Sequence, residues 1–190
     1  MKNKIIIAGV LLMGFVIIAA TPKRSSSGAP PSATGAPGET TCAKSGCHDD
    51  NSVNVGKASL TLEIGDSIIN YIPGKTYSLK IKIAEKSINR FGFQIVALDN
   101  KNLNAGKFKL TDEERTQDFS NDLELTDRQY VTYTYAGTDA TNNASEWAVN
   151  WTAPNSNIGP VSFYVAGVSA NDDTTDKGDH VYTISKVLNN

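Results

Sequence analysis

The residues with the most reactive side chains in this chain lie in one short stretch, GETTCAKSGCHDD, at positions 38–50. It holds both cysteines, Cys42 and Cys47, together with His48, one of the two histidines. Covalent haem attachment uses C-x-x-C-H, which supplies two thioethers and a proximal imidazole. Here the spacing is C-x-x-x-x-C-H, but Cys47 and His48 remain adjacent, so an imidazole and one thioether stay in register. The stretch is therefore a candidate site for a c-type haem.

The same two cysteines also fit a small disulfide loop. An exported protein meets an oxidising environment in which thiols rarely stay free. A Cys42–Cys47 disulfide needs no histidine, so this interpretation leaves His48 without a role. The residues alone leave haem and disulfide open as alternatives.

The first twenty residues indicate export. Lys2 and Lys4 precede the apolar residues 5–20, which end in Ala19 and Ala20, and this pattern is typical of a secretory signal. Sixteen helical residues rise about 24 Å, which is short of a hydrocarbon core of about 30 Å. We expect a signal peptide cleaved near Ala20, with an uncleaved N-terminal anchor as the alternative. The protein would then reside in the periplasm, at the cell surface or outside the cell.

Composition divides the rest of the chain into three parts. Residues 21–41 are nearly all Ser, Thr, Gly, Ala and Pro, which predicts a flexible linker, and the Cys/His segment spans residues 42–56. From residue 57 to 190, eight short runs alternate apolar and polar residues between turn clusters. Seven or eight such strands predict an all-β fold, an immunoglobulin-like antiparallel β-sandwich.

One register can be predicted within this sandwich. In EWAVNW, side chains two residues apart point to the same face of a strand. Trp147, Val149 and Trp151 should therefore be buried together, against Phe93, Ile95 or Phe163.

Charge and motifs exclude several function classes. Without Lys2 and Lys4, 16 basic side chains oppose 20 acidic ones, a net charge of −4 that argues against a nucleic-acid partner. No phosphate-binding loop, metalloprotease helix or serine nucleophile motif is present, which predicts a non-enzymatic protein. Four aspartates near the C-terminus match no calcium loop, so an acidic turn is preferred over calcium binding: Asp172, Asp173, Asp176 and Asp179.

The segment GAPGETTC…CH resembles the N-terminal segment of the choice-of-anchor V domain family, bacterial proteins related to Reeler and Reelin-like domains. The resemblance covers about residue 28 to the end and implies an exported immunoglobulin-like sandwich held at the cell surface. It includes, in order, Phe91-Gly92-Phe93-Gln94, Trp151-Thr152-Ala153-Pro154, Phe163-Tyr164, Ala170-Asn171-Asp172 and Gly178-Asp179 with Tyr182.

The resemblance also implies roles for the reactive residues. Cys42 and Cys47 would be the thioether positions and His48 the proximal iron ligand. Both methionines lie in the signal, so His180 is the remaining imidazole that could serve as a distal ligand. A lone histidine at a strand edge is more often simply solvated.

Two functions follow from these alternatives. The first is an exported, non-enzymatic envelope protein that carries one haem c for electron transfer or redox sensing, with a redox protein as partner. The second is a surface adhesion or structural module with a Cys42–Cys47 disulfide, no cofactor and an envelope component as partner. In either case contact with the membrane would be limited to an uncleaved N-terminal segment.

Overall fold

The computed structural model describes residues 28–119 and 127–190, so the predicted signal at 1–20 lies outside the described residues. Within the described ranges, no helix has the length and hydropathy needed to cross a bilayer. A 3₁₀ turn covers Ala136–Thr138, and the strands are β1 Ser59–Ile64, β2 Thr76–Ala84, β3 Arg90–Leu98, β4 Lys107–Leu110, β5 Thr116–Asp118, β6 Val131–Tyr133, β7 Ala144–Thr152, β8 Val161–Ala170 and β9 His180–Leu188.

These strands form two antiparallel sheets that pack as a sandwich. One has the order β1-β2-β7-β4 and the other has the order β5-β6-β3-β8-β9. The predicted sandwich is confirmed, and the eight predicted strands are present. The additional strand, β5, is only three residues long and lies in a stretch rich in acidic residues.

The core between the sheets contains the predicted tryptophan face. Trp147, Val149 and Trp151 are almost fully buried, as predicted. The Trp147 ring lies 4.6 Å from that of Phe93, and the Trp151 ring lies 4.8 Å from that of Phe163, measured between centroids. Both indoles donate a hydrogen bond to a main-chain carbonyl, so burial leaves neither polar group without a partner.

The five-stranded sheet is apolar on both faces. From Phe91 to Leu98, every residue of β3 is buried, although successive side chains point to opposite sides. One face of this sheet packs into the sandwich core, and the other is covered by residues 28–56, which we call the N-terminal strap. The sheet is thus the middle layer of three.

The strap corrects the prediction of a flexible linker at residues 21–41, as far as the described residues 28–41 are concerned. Ala29, Ala33, Thr34 and Ala36 are all buried. Small side chains lower the hydropathy of the segment, but they also let its backbone approach the sheet closely. The composition that indicates a linker here belongs to a packed layer.

The tryptophan register generates a stability prediction. Replacing Trp151 with Ala should lower the free energy of unfolding by about 3–5 kcal/mol, because a large buried aromatic leaves a cavity. Asn150→Ala, on the opposite face of β7, should cost no more than about 0.5 kcal/mol. Chemical denaturation followed by circular dichroism measures both. A Trp151→Ala loss below about 1 kcal/mol would contradict the packing.

Candidate functional site in the N-terminal strap

The first attachment of the strap is a buried amide in the middle of the sheet. Gln94 of β3 is fully buried, and its side-chain oxygen accepts a hydrogen bond from the Ala33 N–H at 2.9 Å. Its side-chain nitrogen donates to the carbonyls of Ala29 at 3.1 Å and Pro30 at 2.9 Å. Beside it, the Thr132 hydroxyl accepts from the Ala29 N–H at 3.3 Å. These two side chains therefore form hydrogen bonds with backbone groups of the strap that burial would otherwise leave without partners.

The second attachment is a buried ion pair. The Glu39 side chain is only 2% exposed, and its carboxylate accepts hydrogen bonds from Arg128 and from the Tyr130 hydroxyl, the latter at 2.6 Å. The Thr34 hydroxyl donates to the other carboxylate oxygen at 2.5 Å. Burial acts to lower the pKa of Arg128, but its hydrogen bonds and charge interactions raise that pKa overall. A carboxylate this deeply buried requires such partners.

The third attachment holds the Cys/His segment. Nδ1 of His48 lies 2.6 Å from a carboxylate oxygen of Asp179, whose side chain is 2% exposed. The other carboxylate oxygen accepts the Asn171 N–H at 3.0 Å, and the main-chain carbonyl of Asp179 accepts the Asn51 amide at 2.9 Å. The imidazole is therefore fixed in orientation by a buried acidic group, 131 positions away in sequence.

Charges on the loop before β9 reinforce this contact. The Lys177 ammonium lies 2.6 Å from Asp50 and 3.3 Å from Asp49, and the Gly178 N–H donates to Asp50 at 3.0 Å. The Lys177 hydrogen bond is the main cause of the lowered pKa of Asp50, whereas for Asp49 the main cause is the Gly46 N–H. Among the described residues, no group of three or more His, Cys, Asp or Glu side chains is placed to hold a metal ion.

The two cysteines occupy different environments in the strap. Cys42 is 8% exposed, and its sulfur lies 3.7 Å from the Ala33 carbonyl oxygen. Burial, with a smaller contribution from Cys47, raises its pKa to about 12. Cys47 is half-buried, and both sulfurs are free thiols. The apolar side chains of the sheet that pack with Cys42 are Ala166, Val168 and Val181.

The structure brings Cys42, Cys47 and His48 into one loop but places His180 elsewhere. Asp179 contacts His48 and Val181 packs against the strap, so both face that layer. His180 lies between them, and alternation turns it to the other face of the sheet. It packs beside Gly56, the last residue of the strap, where a Cβ would come within 3.0 Å of the imidazole. The role of His180 as a distal ligand stays a prediction.

Sequence reasoning missed the partners that hold the segment. The sequence places Asp179 in an acidic turn and in the resemblance but indicates no partner for it, and Glu39 falls within the predicted linker. Gln94 was quoted in the resemblance without a role. One signal was available: a Glu within a stretch otherwise poor in charge suggests a specific partner. Its partner Arg128 lies 89 positions away, beyond the reach of any local pattern.

The Reeler domain profile matches residues 40–174, well over half of the chain. The chain belongs to the Reeler domain family. The predicted relation to Reeler and Reelin-like domains is therefore confirmed, while the choice-of-anchor V assignment stays a prediction. No curated protein matches the sequence of this Reeler domain protein.

Solved structures support the same fold. The Reelin-N domain of F-spondin is 24% identical, with a TM-score of 0.54, over 75% of this chain and 93% of that domain. The human F-spondin reeler domain (fragment 1) is 23% identical, with a TM-score of 0.52, over 74% and 94% of the two chains. At this identity the likeness establishes the Reeler fold and leaves function to the residues of the site.

The buried pair generates a prediction for the strap. Glu39→Ala should lower the free energy of unfolding by about 3 kcal/mol, because it leaves the largely hidden Arg128 without its carboxylate. The matched control is Glu146→Ala, which breaks the Lys80–Glu146 pair, where both side chains are 47% exposed. That change should cost at most about 1 kcal/mol. Equal losses in the two variants, measured by urea denaturation, would show that the strap is not held by this pair.

Proposed function

We propose that this Reeler domain is an exported, non-enzymatic adhesion or structural module that binds an anionic component of the cell envelope, with a Cys42–Cys47 disulfide and no cofactor. Membership in the Reeler family supports the module interpretation. The secretory pattern of residues 1–20 supports export. The observation that carries the binding proposal is the charge on the outer face of the four-stranded sheet.

That face is exposed and predominantly basic. Alternation along β2 and β4 turns every second side chain outward, and four of these outward residues are lysines. Two glutamates, Glu63 and Glu146, share the face with them. The whole chain carries a formal charge of −2, so positive charge is concentrated here against the overall balance. Such a patch attracts anionic partners. The lysines are Lys80, Lys82, Lys107 and Lys109.

The strand register spreads these lysines across the sheet. Lys80 pairs with Ala148 of β7, and Lys109 pairs with Asn150 of the same strand, so neutral residues separate the two cations. A carboxylate oxygen of Glu146 lies 3.3 Å from the Lys80 ammonium and neutralises part of the positive charge. A flat surface with spaced cations suits an extended anionic polymer better than a small ligand, which binds in a concave site.

Charge reversal on this face tests the proposal. The variant Lys80→Glu with Lys109→Glu should bind immobilised dextran sulfate at least about tenfold more weakly, which corresponds to about 1.4 kcal/mol. The control Lys101→Glu makes one reversal in the exposed loop after β3, away from the face, and should bind nearly as the wild type does. Biosensor titrations at several salt concentrations measure this, since the effect should shrink as salt rises. Unchanged binding by the double variant would refute a role for this face.

A c-type haem for electron transfer or redox sensing is the second candidate. One observation favours it: His48 is oriented through Nδ1 by a buried carboxylate, as metal-binding histidines commonly are. Cys42 does not fit it. Its side chain packs with Ala166, Val168 and Val181. A thioether at Cys42 would bring the edge of the porphyrin into the space that these side chains occupy. We therefore rank the disulfide above the haem.

An absorption spectrum separates the two candidates. Protein purified from a host with haem-attachment machinery should show no Soret band if the disulfide interpretation holds. It should also have no thiol that reacts with a thiol reagent after unfolding, because both cysteines are then oxidised. A Soret band that survives denaturation and acid–acetone extraction would establish thioether haem instead. His48→Ala is the matched variant, since it should abolish such a band and leave a colourless protein unchanged.

A further inference from the structure

The backbone of the strap places the two cysteines at the base of a closed loop. The His48 N–H donates to the Cys42 carbonyl at 3.2 Å, and the Cys47 N–H donates to the Lys44 carbonyl at 2.9 Å. A hydrogen bond between positions 42 and 48 holds the two ends of the loop side by side. A disulfide requires a Cβ separation of about 3.5–4.5 Å, and a hydrogen bond at the base of so short a loop limits how far its two cysteines can move apart.

The frame around the loop is fixed, whereas its tip is open. His48 is held by Asp179, and Asp50 is held by Lys177, so the chain leaving the loop is anchored. Gly46 has a φ of +81°, and a Cβ at that position would meet nothing within 4 Å. The turn that precedes Cys47 therefore has free space around it.

Access to the two sulfurs is unequal. Cys42 is 8% exposed on the side of the strap that packs against the sheet, while Cys47 is half-buried. Burial, together with the nearby Cys47, also raises the pKa of Cys42 to about 12. A thiol that is hidden and protonated is a poor nucleophile toward an external disulfide.

From this geometry we propose that Cys47 is a thiol–disulfide exchange site and that Cys42 is its resolving thiol. The oxidant is a disulfide-bearing redox protein or small disulfide of the exported compartment. This inference rests on the disulfide named in the proposed function and is independent of the basic sheet face.

The exchange proceeds in two balanced steps. Cys47 loses its proton and attacks one sulfur of the external disulfide, so that bond breaks, a mixed disulfide forms and one external thiolate leaves and takes up a proton. Cys42 then loses its proton and attacks the Cys47 sulfur, which forms the Cys42–Cys47 bond and expels the second external thiolate, again protonated. Two protein thiols are oxidised, and one external disulfide is reduced to two thiols. The short loop makes the second step intramolecular and fast.

Oxidised glutathione is the probe that tests this order. Reduced full-length protein is incubated with it, quenched with acid and weighed intact by mass spectrometry. Wild-type protein should lose two hydrogens with no lasting adduct, whereas Cys42→Ser should accumulate one glutathione on Cys47. Cys47→Ser should react at least about tenfold more slowly, because a raised pKa reduces the thiolate fraction faster than it increases nucleophilicity.

Unfolding supplies the matched control. In denaturing guanidinium chloride the two single variants should react at similar rates, since the difference comes from burial in the folded strap. Cys42→Ala repeats the Cys42 test, and circular dichroism checks that each variant is folded. Equal rates for the folded variants, a lasting adduct on the wild type, or a wild type that stays a dithiol would each overturn the proposal. A wild type that stays a dithiol would also contradict the disulfide of the proposed function, whereas equal rates or a lasting adduct would overturn the exchange proposal alone. None of these outcomes bears on dextran sulfate binding.

Discussion

The whole arrangement depends on a sheet that is apolar on both faces. β3 is buried along nearly its full length, and β8 is buried over much of its length, so one packing partner cannot shield this sheet from water. The four-stranded sheet covers one face and the strap covers the other. Because exposed apolar area of this extent is costly, the strap is a requirement of the fold. Its position then determines where every residue that it carries must lie.

The strap solves this covering problem with small side chains and a few buried polar groups. Alanines let its irregular backbone approach the sheet closely. Burial of such a backbone would leave N–H and carbonyl groups without hydrogen-bond partners unless the sheet supplied them. The Gln94 side chain, which belongs to the sheet, hydrogen-bonds to some of these backbone groups. The Glu39–Arg128 ion pair holds the strap at a second point. His48 and Asp179 fix the end that carries the cysteines. The Cys/His segment is therefore positioned by its contacts with the five-stranded sheet and the loop before β9.

The features of the fold that could be predicted from the sequence are those that produce a local hydrophobic period, such as the strands and the faces of their side chains. Alternation in β7 was enough to identify the faces of Trp147 and Trp151, because a half-buried strand has a period of two. The strap lacks such a signal, since Ala, Gly, Pro and Thr give the same hydropathy whether packed or free. Its order comes from contacts with residues such as Arg128 that lie far along the chain. β5 was missed because three residues within an acidic stretch are too few to show alternation.

The two outer faces of the molecule are consequently unlike each other. The strap covers one face, and several of the charges there are paired within the chain, as Lys177 with Asp50 illustrates. The four-stranded sheet has no layer over its outer face among the described residues, and its lysines outnumber its glutamates. Unpaired charge in water costs little to keep and attracts a partner over several ångströms, whereas buried charge must be matched on site. The recognition that we propose therefore uses the open face, and the thiol exchange that we propose uses the strap face.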